Sequence, residues 1–545
     1  MAKKATARFR FSPRPNRAHR IRWRSWGPEA FAEAKRQDKP ILLAVSAVWS
    51  HWCHVMDETS YSDEEIINYI NEHYVPIRVD SDQRPDISGR YNLGGWPTTA
   101  LLTPEGEVLT GGTYVPPEQL RQLLPQVVGH YRSNREEIAR KLEDLREQRK
   151  TAAAGERAPL GQDILAKVLA ALTEHYDPHF GGFGDPPKFH HTEAIDLLLY
   201  AYRKNRNPSP LEKARKTLES MAKGDIFDQE WGGFFRYANR GDWNDAYCEK
   251  MLEDNAGLLR NLLALYRASG DKSHLAIALR TIEYLDARLS DPDGGFFYGS
   301  QDADEEFYRL PAAEREKRQQ PYVDRTCYTA WNAMAASAYL EASWTLGQPE
   351  LRERAVKALA FLWDSCRDPD TRGMYHLHDG SPQVPGLLAD QAYMARALLD
   401  AYGVVADPLY LKQAQELAAF IVERFVDEEG GGFFDVWNEH ERLGRLEERQ
   451  KPILENAVCA EVLVRLHALS RKKFYEKVVL GVLEAFSSTY QAWGYLAAPY
   501  AKAVDMFQSE LVRVYVVGDP SADATRELQL TGLALDVPAV AVQVF

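Results

Sequence analysis

Two rhythms of apolar and polar residues divide this chain. In the first 150 residues, short apolar runs alternate with helical spacing. Residues 28–37 predict a helix, with Pro28 at its start and Phe31 and Ala34 on one face. The run at 40–46, carrying Ile41, Leu42, Leu43, Ala44 and Val45, predicts a buried strand. Ser62-Asp63-Glu64-Glu65 reads as a capping box that opens a helix through Ile66, Ile67 and Ile70. Residues 74–80 predict a second strand, 86–91 a short helix, and Gly94-Gly95 a break. Residues 98–102 predict a third strand, which Pro104-Glu105-Gly106 turns into Val108-Leu109, and a closing helix runs over 117–131. Alternation of this kind predicts an α/β layer structure around a central sheet.

The second rhythm is helical throughout. A charged helix over 132–150 and a linker over 151–159 lead into it. Candidate helices follow at 161–176, 191–205, 209–223, 246–268, 272–289, 327–346, 350–365, 387–404, 408–425, 454–470, 472–489 and 494–506, enough for six hairpins. Between them recur Gly181-Gly182-Phe183, Gly232-Gly233-Phe234, Gly294-Gly295-Phe296 and Gly431-Gly432-Phe433, with Gly373-Met374-Tyr375 as a looser copy. A repeated hairpin with a Gly-Gly-aromatic turn predicts a helical array, and these long steps suit a closed (α/α)6 toroid better than an open solenoid. Beyond it, 511–518 and 537–545 are β-rich, and they should pair with each other or extend an edge.

Composition narrows the class. The 545 residues are 45% hydrophobic and 27% charged, which fits a globular chain of two or three domains. The net charge of -13 disfavours a nucleic-acid partner. The N-terminal stretch opposes that trend, with Lys3, Lys4, Arg8, Arg10, Arg14, Arg17, Arg20, Arg22 and Arg24, and predicts a solvated, frayed basic tail rather than a signal peptide. Uninterrupted apolar runs fall short of a membrane span. The five cysteines, Cys53, Cys248, Cys327, Cys366 and Cys459, are scattered and odd in number, which predicts a reducing cytoplasm.

Candidate chemistry lies in two places. Trp49-Ser50-His51-Trp52-Cys53 follows the first strand where a thioredoxin would carry W-C-x-x-C, with Ser50 in place of the attacking cysteine. Cys53 is then either a monothiol nucleophile tuned by a helix N-terminus and His51 or His54, or a buried packing residue. Pro97 stands where thioredoxin-like folds hold a cis proline against the redox site. The helical part carries carboxylates, amides and aromatics on its loops, the residues that carbohydrate sites use. The expectation is that Asp185, Lys188, Arg236, Tyr237, Glu249, Asp254, Asp302, Asp304, Trp331, Asn332 and Asp390 gather around one mouth. Glu249 and Asp302 are the candidate acid and base, Glu249 at a helix start and Asp302 two residues from Asp304. The alternative is that such residues cap helices and hold loops. The histidines form no H-E-x-x-H motif, so no metal is expected, and no phosphate loop or dinucleotide fingerprint calls for a cofactor.

The motifs also resemble a family. The quoted runs are Ser50-His51-Trp52-Cys53-His54-Val55-Met56, Arg84-Pro85-Asp86-Ile87, Gly94-Gly95-Trp96-Pro97, Gly111-Gly112-Thr113-Tyr114, Gly184-Asp185-Pro186-Pro187-Lys188-Phe189, Phe235-Arg236-Tyr237, Glu249-Lys250-Met251-Leu252, Asp302-Ala303-Asp304 and Ala330-Trp331-Asn332. From about Trp26 to Gly518 the chain resembles the two-part proteins that join a thioredoxin-like domain to a six-hairpin barrel, a group that includes the spermatogenesis-associated thioredoxin-like proteins. The barrel looks like those of N-acylglucosamine 2-epimerases and related glycosidases. The resemblance implies a basic tail over 1–25, a thioredoxin-like domain over 26–150, an (α/α)6 barrel over 160–507 and a β-rich segment over 508–545. It also implies a sugar-like ligand, and an isomerase, epimerase or hydrolase if the protein is an enzyme. The chain departs from the family at Ser50, at Tyr247-Cys248 before Glu249, where the family commonly has His-Phe, and in a shorter segment between Asp86 and Gly94. Three functions therefore compete: a carbohydrate-active or carbohydrate-binding barrel, a thiol-linked protein working through Cys53, and a protein-binding scaffold.

Overall fold

A computed structural model describes residues 9–153, 157–293 and 295–545. Lys3, Lys4, Arg8, the middle of the linker and Gly294 lie outside the described residues. The described residues form two compact units. The first takes 9–153 and Glu439–Gln450, and the second 157–438 and Lys451–Phe545.

The first unit is thioredoxin-like. Its elements are α1 (Pro28–Gln37), β1 (Ile41–Ser46), α2 (His51–Glu58), α3 (Glu64–His73), β2 (Val75–Asp80), α4 (Pro85–Tyr91), β3 (Thr98–Leu102), β4 (Val108–Gly112), α5 (Pro117–Ser133) and α6 (Arg135–Ala153). The sheet order is β2-β1-β3-β4, with β1 and β2 parallel and the remaining pairs antiparallel. The apolar run of β1 is continuous because both of its faces are buried. Leu42 and Ala44 meet Met56, Ile66, Ile70, Leu101 and Leu124 on one side, while Ile41, Leu43 and Val45 meet Phe31, Ile77, Ile87 and Leu102 on the other.

Two features of this unit depart from expectation. Residues 9–24 are packed, not frayed. Ala18 and Ile21 enter the core, Arg17 and Arg20 pair with Glu64, and Arg24 pairs with Glu33. Beneath them Arg78 makes a buried bidentate pair with Asp57 at 2.8 and 2.9 Å and donates to Arg10 O, so opposite charges replace solvent around this segment. Second, Glu439–Gln450, far away in sequence, belongs to the same unit. Leu446 packs beside Phe31 and Tyr91, His440 bonds Asp86 at 2.9 Å, and Arg90 donates to Glu448 O at 2.7 Å.

The second unit is an (α/α)6 toroid. Its inner helices are α8 (Thr192–Asn205), α10 (Leu252–Ser269), α14 (Thr329–Leu346), α16 (Leu388–Val405), α18 (Ile453–Ser470) and α20 (Ala498–Ser509). Each packs on the next, and α20 returns to α8 to close the ring. The outer helices are α7 (Ile164–Glu174), α9 (Pro208–Lys223), α11 (Ser273–Arg288), α15 (Pro349–Ser365), α17 (Pro408–Phe425) and α19 (Lys473–Glu484), and α7 pairs with α20 to join the two ends of the ring. Two one-turn helices, α12 (Glu305–Tyr308) and α13 (Ala312–Arg315), lie in the loop before α14. Inner helices such as α14 and α18 are buried nearly all round, whereas outer helices keep one polar face.

Short strands fill the loops: β5 (Lys188–Phe189), β6 (Tyr237–Ala238), β7 (Ala246–Tyr247), β8 (Lys250–Met251), β9 (Ser300–Gln301), β10 (Val323–Asp324), β11 (Cys327–Tyr328), β12 (Tyr375–His378) and β13 (Pro382–Pro385). Inner helices α10 and α14 start later than the sequence suggests because β8 and β11 precede them. At the C-terminus, β14 (Val512–Val516) and β15 (Val540–Val544) pair as expected, but in parallel. A parallel pair needs a crossover, and an unforeseen helix, α21 (Asp523–Leu533), supplies it against α16. Among the described residues no helix is long and apolar enough to cross a membrane.

Candidate functional site

The loops leading into the inner helices share one construction. An aspartate opens each loop: Asp177, Asp228, Asp291, Asp368 and Asp427. Its carbonyl accepts the N–H four residues on, at Gly181, Gly232, Gly295, Arg372 and Gly431. All five of those residues have positive φ, which glycine adopts freely and Arg372 adopts at a cost. The third copy is therefore Gly295-Phe296-Phe297, one residue later than the sequence match suggests.

A lysine then ties three of the loops shut. Lys250 donates to Asp228 at 2.6 Å and to Gly232 O at 2.8 Å. Lys188 does the same with Asp177 and Gly181 O, and Lys451 with Asp427 and Gly431 O. An amide from the following inner helix grips the loop in turn. Asn332 accepts from Phe297 N at 2.7 Å and donates to Phe297 O at 3.0 Å, and Asn255, Gln391 and Asn456 repeat this on Phe234, Met374 and Phe433.

This construction accounts for several of the expected ligand-binding residues. Lys188 and Asn332 hold loops and are not among the residues that line the cavity described below. Asp304 caps α12 through Phe307 N. Asp390 is buried and takes His376 Nδ1 at 3.0 Å and Ala330 N at 3.1 Å. Tyr237 lies stacked between Phe189 and Tyr247, Trp331 packs on Tyr328, and Asp185 is exposed. The backbone N–H of Arg236 donates to Glu249 O at 2.9 Å. Strand β8 pairs with β9 (Ser300–Gln301), Lys250 facing Gln301 and Met251 facing Ser300. Glu249 and Asp302 flank that small sheet, both buried and both outside the cavity described next.

That cavity opens at the N-terminal ends of the inner helices and measures about 380 Å³. All six inner helices contribute to it. Glu193 and Asp196 come from α8; Glu253, Asp254, Arg260 and Asn261 from α10; Met334 from α14; Tyr393 and Arg396 from α16; Glu461 from α18; and Lys502 from α20. His190, His191 and Phe189 complete the rim. Of the residues singled out from sequence, Asp254 alone lines it. Gly257 lets α10 approach α8, since a Cβ there would sit 2.9 Å from Thr192 Oγ1.

A second cavity of about 210 Å³ shares Asp196, Arg260, Glu461 and Lys502 with the first and is walled by paired charges. Asp196 meets Lys502 at 2.7 Å, Arg260 meets Glu341 at 2.9 Å, and Asp400 meets Arg465 at 2.8 Å. Burial alone would raise Glu341, but Arg267 and Arg260 hold it down to about 2. Nearer the mouth, burial and then the neighbouring His190 push His191 down to about 4, so its imidazole is neutral at pH 7. Burial pushes the Tyr393 phenol well up, beside Glu455, Glu193 and Glu253. Three buried atoms of side chains lining the first cavity have no hydrogen-bond partner among the described residues. They are His190 Nε2, Asn261 Oδ1 and Arg396 Nε, with His190 and Asn261 each 3% exposed. His190 Nδ1 lies 3.8 Å from Asp254 Oδ1.

In the first unit, Ser50 precedes α2 and Cys53 lies within its first turn. The Trp96–Pro97 peptide is cis. Cys53 Sγ accepts from Ala47 N at 3.3 Å, and burial pushes its thiol up to about 11, so little thiolate exists at neutral pH.

Fold and sites together define a two-part protein: a thioredoxin-like unit with a single redox-position cysteine, and a six-hairpin toroid with a polar cavity. Comparison with known proteins agrees. Residues 13–150 match the Thioredox_DsbH family model, described as a protein of unknown function, DUF255. The chain is 26% identical over 642 residues to spermatogenesis-associated protein 20 of Rattus norvegicus and to that of Homo sapiens, in each case covering 93% of this chain and 81% of the relative. Among solved structures, a sugar epimerase from a ruminal bacterium matches with a TM-score of 0.50 at 18% identity, over 60% of this chain and 86% of its own. The cellobiose 2-epimerase of Bacillus thermoamylovorans matches with the same score and coverage at 12% identity. At these identities the likeness is one of fold.

Proposed function

We propose that the toroid cavity binds a small sugar-like ligand and that, if it turns the ligand over, it does so as an isomerase or epimerase. The observation that carries this reading is the set of unpartnered buried atoms, His190 Nε2, Asn261 Oδ1 and Arg396 Nε, in a cavity of ligand size rimmed by Glu193, Glu253, Asp254 and the ring of Tyr393. Hydroxyls satisfy both a donor and an acceptor, and an aromatic ring offers a face to a sugar. His190 is the group we assign to carry a proton, with the Asp254 carboxylate 3.8 Å from its Nδ1. Isomerisation moves a proton between neighbouring sugar carbons on one face, which one such group can do, whereas epimerisation takes a second group on the opposite face. The sugar-epimerase likeness supports the reading as an analogy of fold. The assignment moves the acid and base from Glu249 and Asp302 to His190 and Asp254.

The five free cysteines fit a reducing compartment such as the cytoplasm. A thiol function is the weaker reading, because Cys53 is buried and protonated. A screen of mono- and disaccharides by thermal shift tests the proposal, since a ligand that binds only the folded state stabilises it. At least one sugar should raise the melting temperature of the wild type and lose its effect in His190→Gln and Asp254→Asn. A sugar effect that survives both variants and disappears in Glu249→Gln would return the site to the β8–β9 sheet.

A further inference from the structure

The opposite end of the toroid carries another concavity. Arg203 and Arg267 stand in the last turns of α8 and α10, and Trp344 in the last turn of α14. Together with residues 533–540, which link α21 to β15, they enclose a cleft of about 110 Å³. Helix C-termini favour cations, which accounts for each arginine singly but not for two sharing one cleft.

The two arginines are unequally served. Arg267 donates to Glu341 at 2.5 Å and to Thr345 Oγ1 at 3.0 Å, and its guanidinium lies over Trp344 at 4.7 Å. Arg203 makes one hydrogen bond among the described residues, to Ala264 O at 3.4 Å, and no ion pair. The acids around it are engaged elsewhere: Glu341 with Arg260 and Arg267, Asp196 with Lys502, and Asp536 with Arg206. Burial, and then the charge of Arg267, push the Arg203 pKa down from its usual value. A sheltered fork of five donors is left with one marginal acceptor.

We propose that this cleft is an anion site that takes a phosphate group between the forks of Arg203 and Arg267. A planar guanidinium matches phosphate oxygens in pairs; Arg203 supplies the charge that is not paired, and Arg267, already held by Glu341, adds donors beside it. The cleft exceeds the roughly 30 Å³ that a water molecule takes in the liquid, and it accommodates a tetrahedral oxyanion. Free orthophosphate and the phosphate of a sugar monoester share this chemistry. The cavity of about 210 Å³, sharing Arg203 and Arg267 with this cleft and Asp196 and Lys502 with the sugar cavity, lies between the two along the same helices.

The test is titration calorimetry and thermal shift of the full chain with inorganic phosphate, hexose 6-phosphate and acetate, each against sodium chloride at matched ionic strength. Phosphate should bind saturably and raise the melting temperature where chloride does not. Arg203→Gln should weaken binding at least tenfold, and Arg203→Lys less. Because Arg203 has no ion pair to lose, Arg203→Gln should melt near the wild type in chloride, which keeps the test valid even if Arg267→Gln unfolds. Tighter binding of the hexose phosphate assigns the site to a monoester, and equal binding assigns it to the phosphate group alone. No phosphate effect beyond chloride, an effect untouched in Arg203→Gln, or an equal effect of acetate overturns the proposal.

Discussion

Replacing Asp228 by Asn tests how the loops are held. The Asp228 carboxylate lies between Lys250 Nζ at 2.6 Å and Arg315 NH1 at 2.8 Å, with the three side chains 1%, 0% and 2% exposed. Asn keeps the shape and removes the charge, leaving two cations buried side by side. Breaking a buried pair from one side costs about 3–5 kcal/mol. Arg315 cannot escape by losing its proton, but Lys250 can. Burial already pushes it from 10.5 to about 8 despite Asp228. Deprotonating a lysine of ordinary pKa at pH 7 costs about 5 kcal/mol, which bounds its share of the loss.

The sign in pH follows. In the variant the folded lysine pKa falls further, so below pH 8 the unfolded variant binds more protons than the folded one, and its stability rises with pH. The wild type gains in the same way only above pH 8. The gap should therefore narrow between pH 6.5 and 8 by up to about 1.4 kcal/mol per unit and then stay constant. Urea unfolding of both proteins at pH 6.5, 8 and 9 measures this. A loss below about 1 kcal/mol with no pH dependence would refute the reasoning.

Other perturbations follow from the same geometry. Asn332→Ala leaves Phe297 N–H and C=O unsatisfied in the core and should cost roughly 2–4 kcal/mol in the same assay; a neutral result would show the clamp to be incidental. Cys53, with its thiol near 11, should carry thiolate on the order of one molecule in 10³–10⁴ at pH 7.5, so mass-mapped alkylation should lag far behind a free cysteine, and no insulin reduction should occur; rapid labelling would contradict its burial. Burial alone would raise Asp86, but His440 and Arg84 hold it well below the usual carboxylate range. A depressed acid contributes stability above its unfolded pKa and loses it as pH falls through the folded one. Asp86→Asn should thus destabilise the first unit at pH 7, with the gap closing in strong acid; a gap unchanged down to pH 2 would exclude the mechanism.

Much of the architecture was legible because burial writes itself into spacing. The unbroken run from Ile41 to Val45 marks a strand covered on both faces, and the Gly-Gly-Phe turns mark where outer helices hand over to inner ones. The packing of residues 9–24 was hidden because its arginines look solvated until Glu64 and Glu33 are placed opposite them. The excursion at Glu439–Gln450 left no local signal, since its partners lie some 350 residues away. Of the eleven residues expected at one mouth, only Asp254 lines the proposed cavity. Polar residues at Lys188, Asn332, Asp304 and Asp390 read as ligand-binding because loop-holding and ligand-holding use the same side chains. A cue for the loop role existed in the recurrence of Asp, Gly-Gly and Lys across repeats, which a ligand site has no reason to show. His190, Glu193 and Arg396 carried no comparable signal, because only ring closure brings α8, α10 and α16 together.

The central claim is that the toroid cavity is the ligand site, with His190 and Asp254 at its working end. The most direct measurement is calorimetric titration of a sugar found by screening into wild type, His190→Gln and Glu249→Gln. The account predicts saturable binding to wild type and Glu249→Gln, and at least a tenfold loss in His190→Gln. Undiminished binding to His190→Gln, or its loss in Glu249→Gln alone, would contradict it.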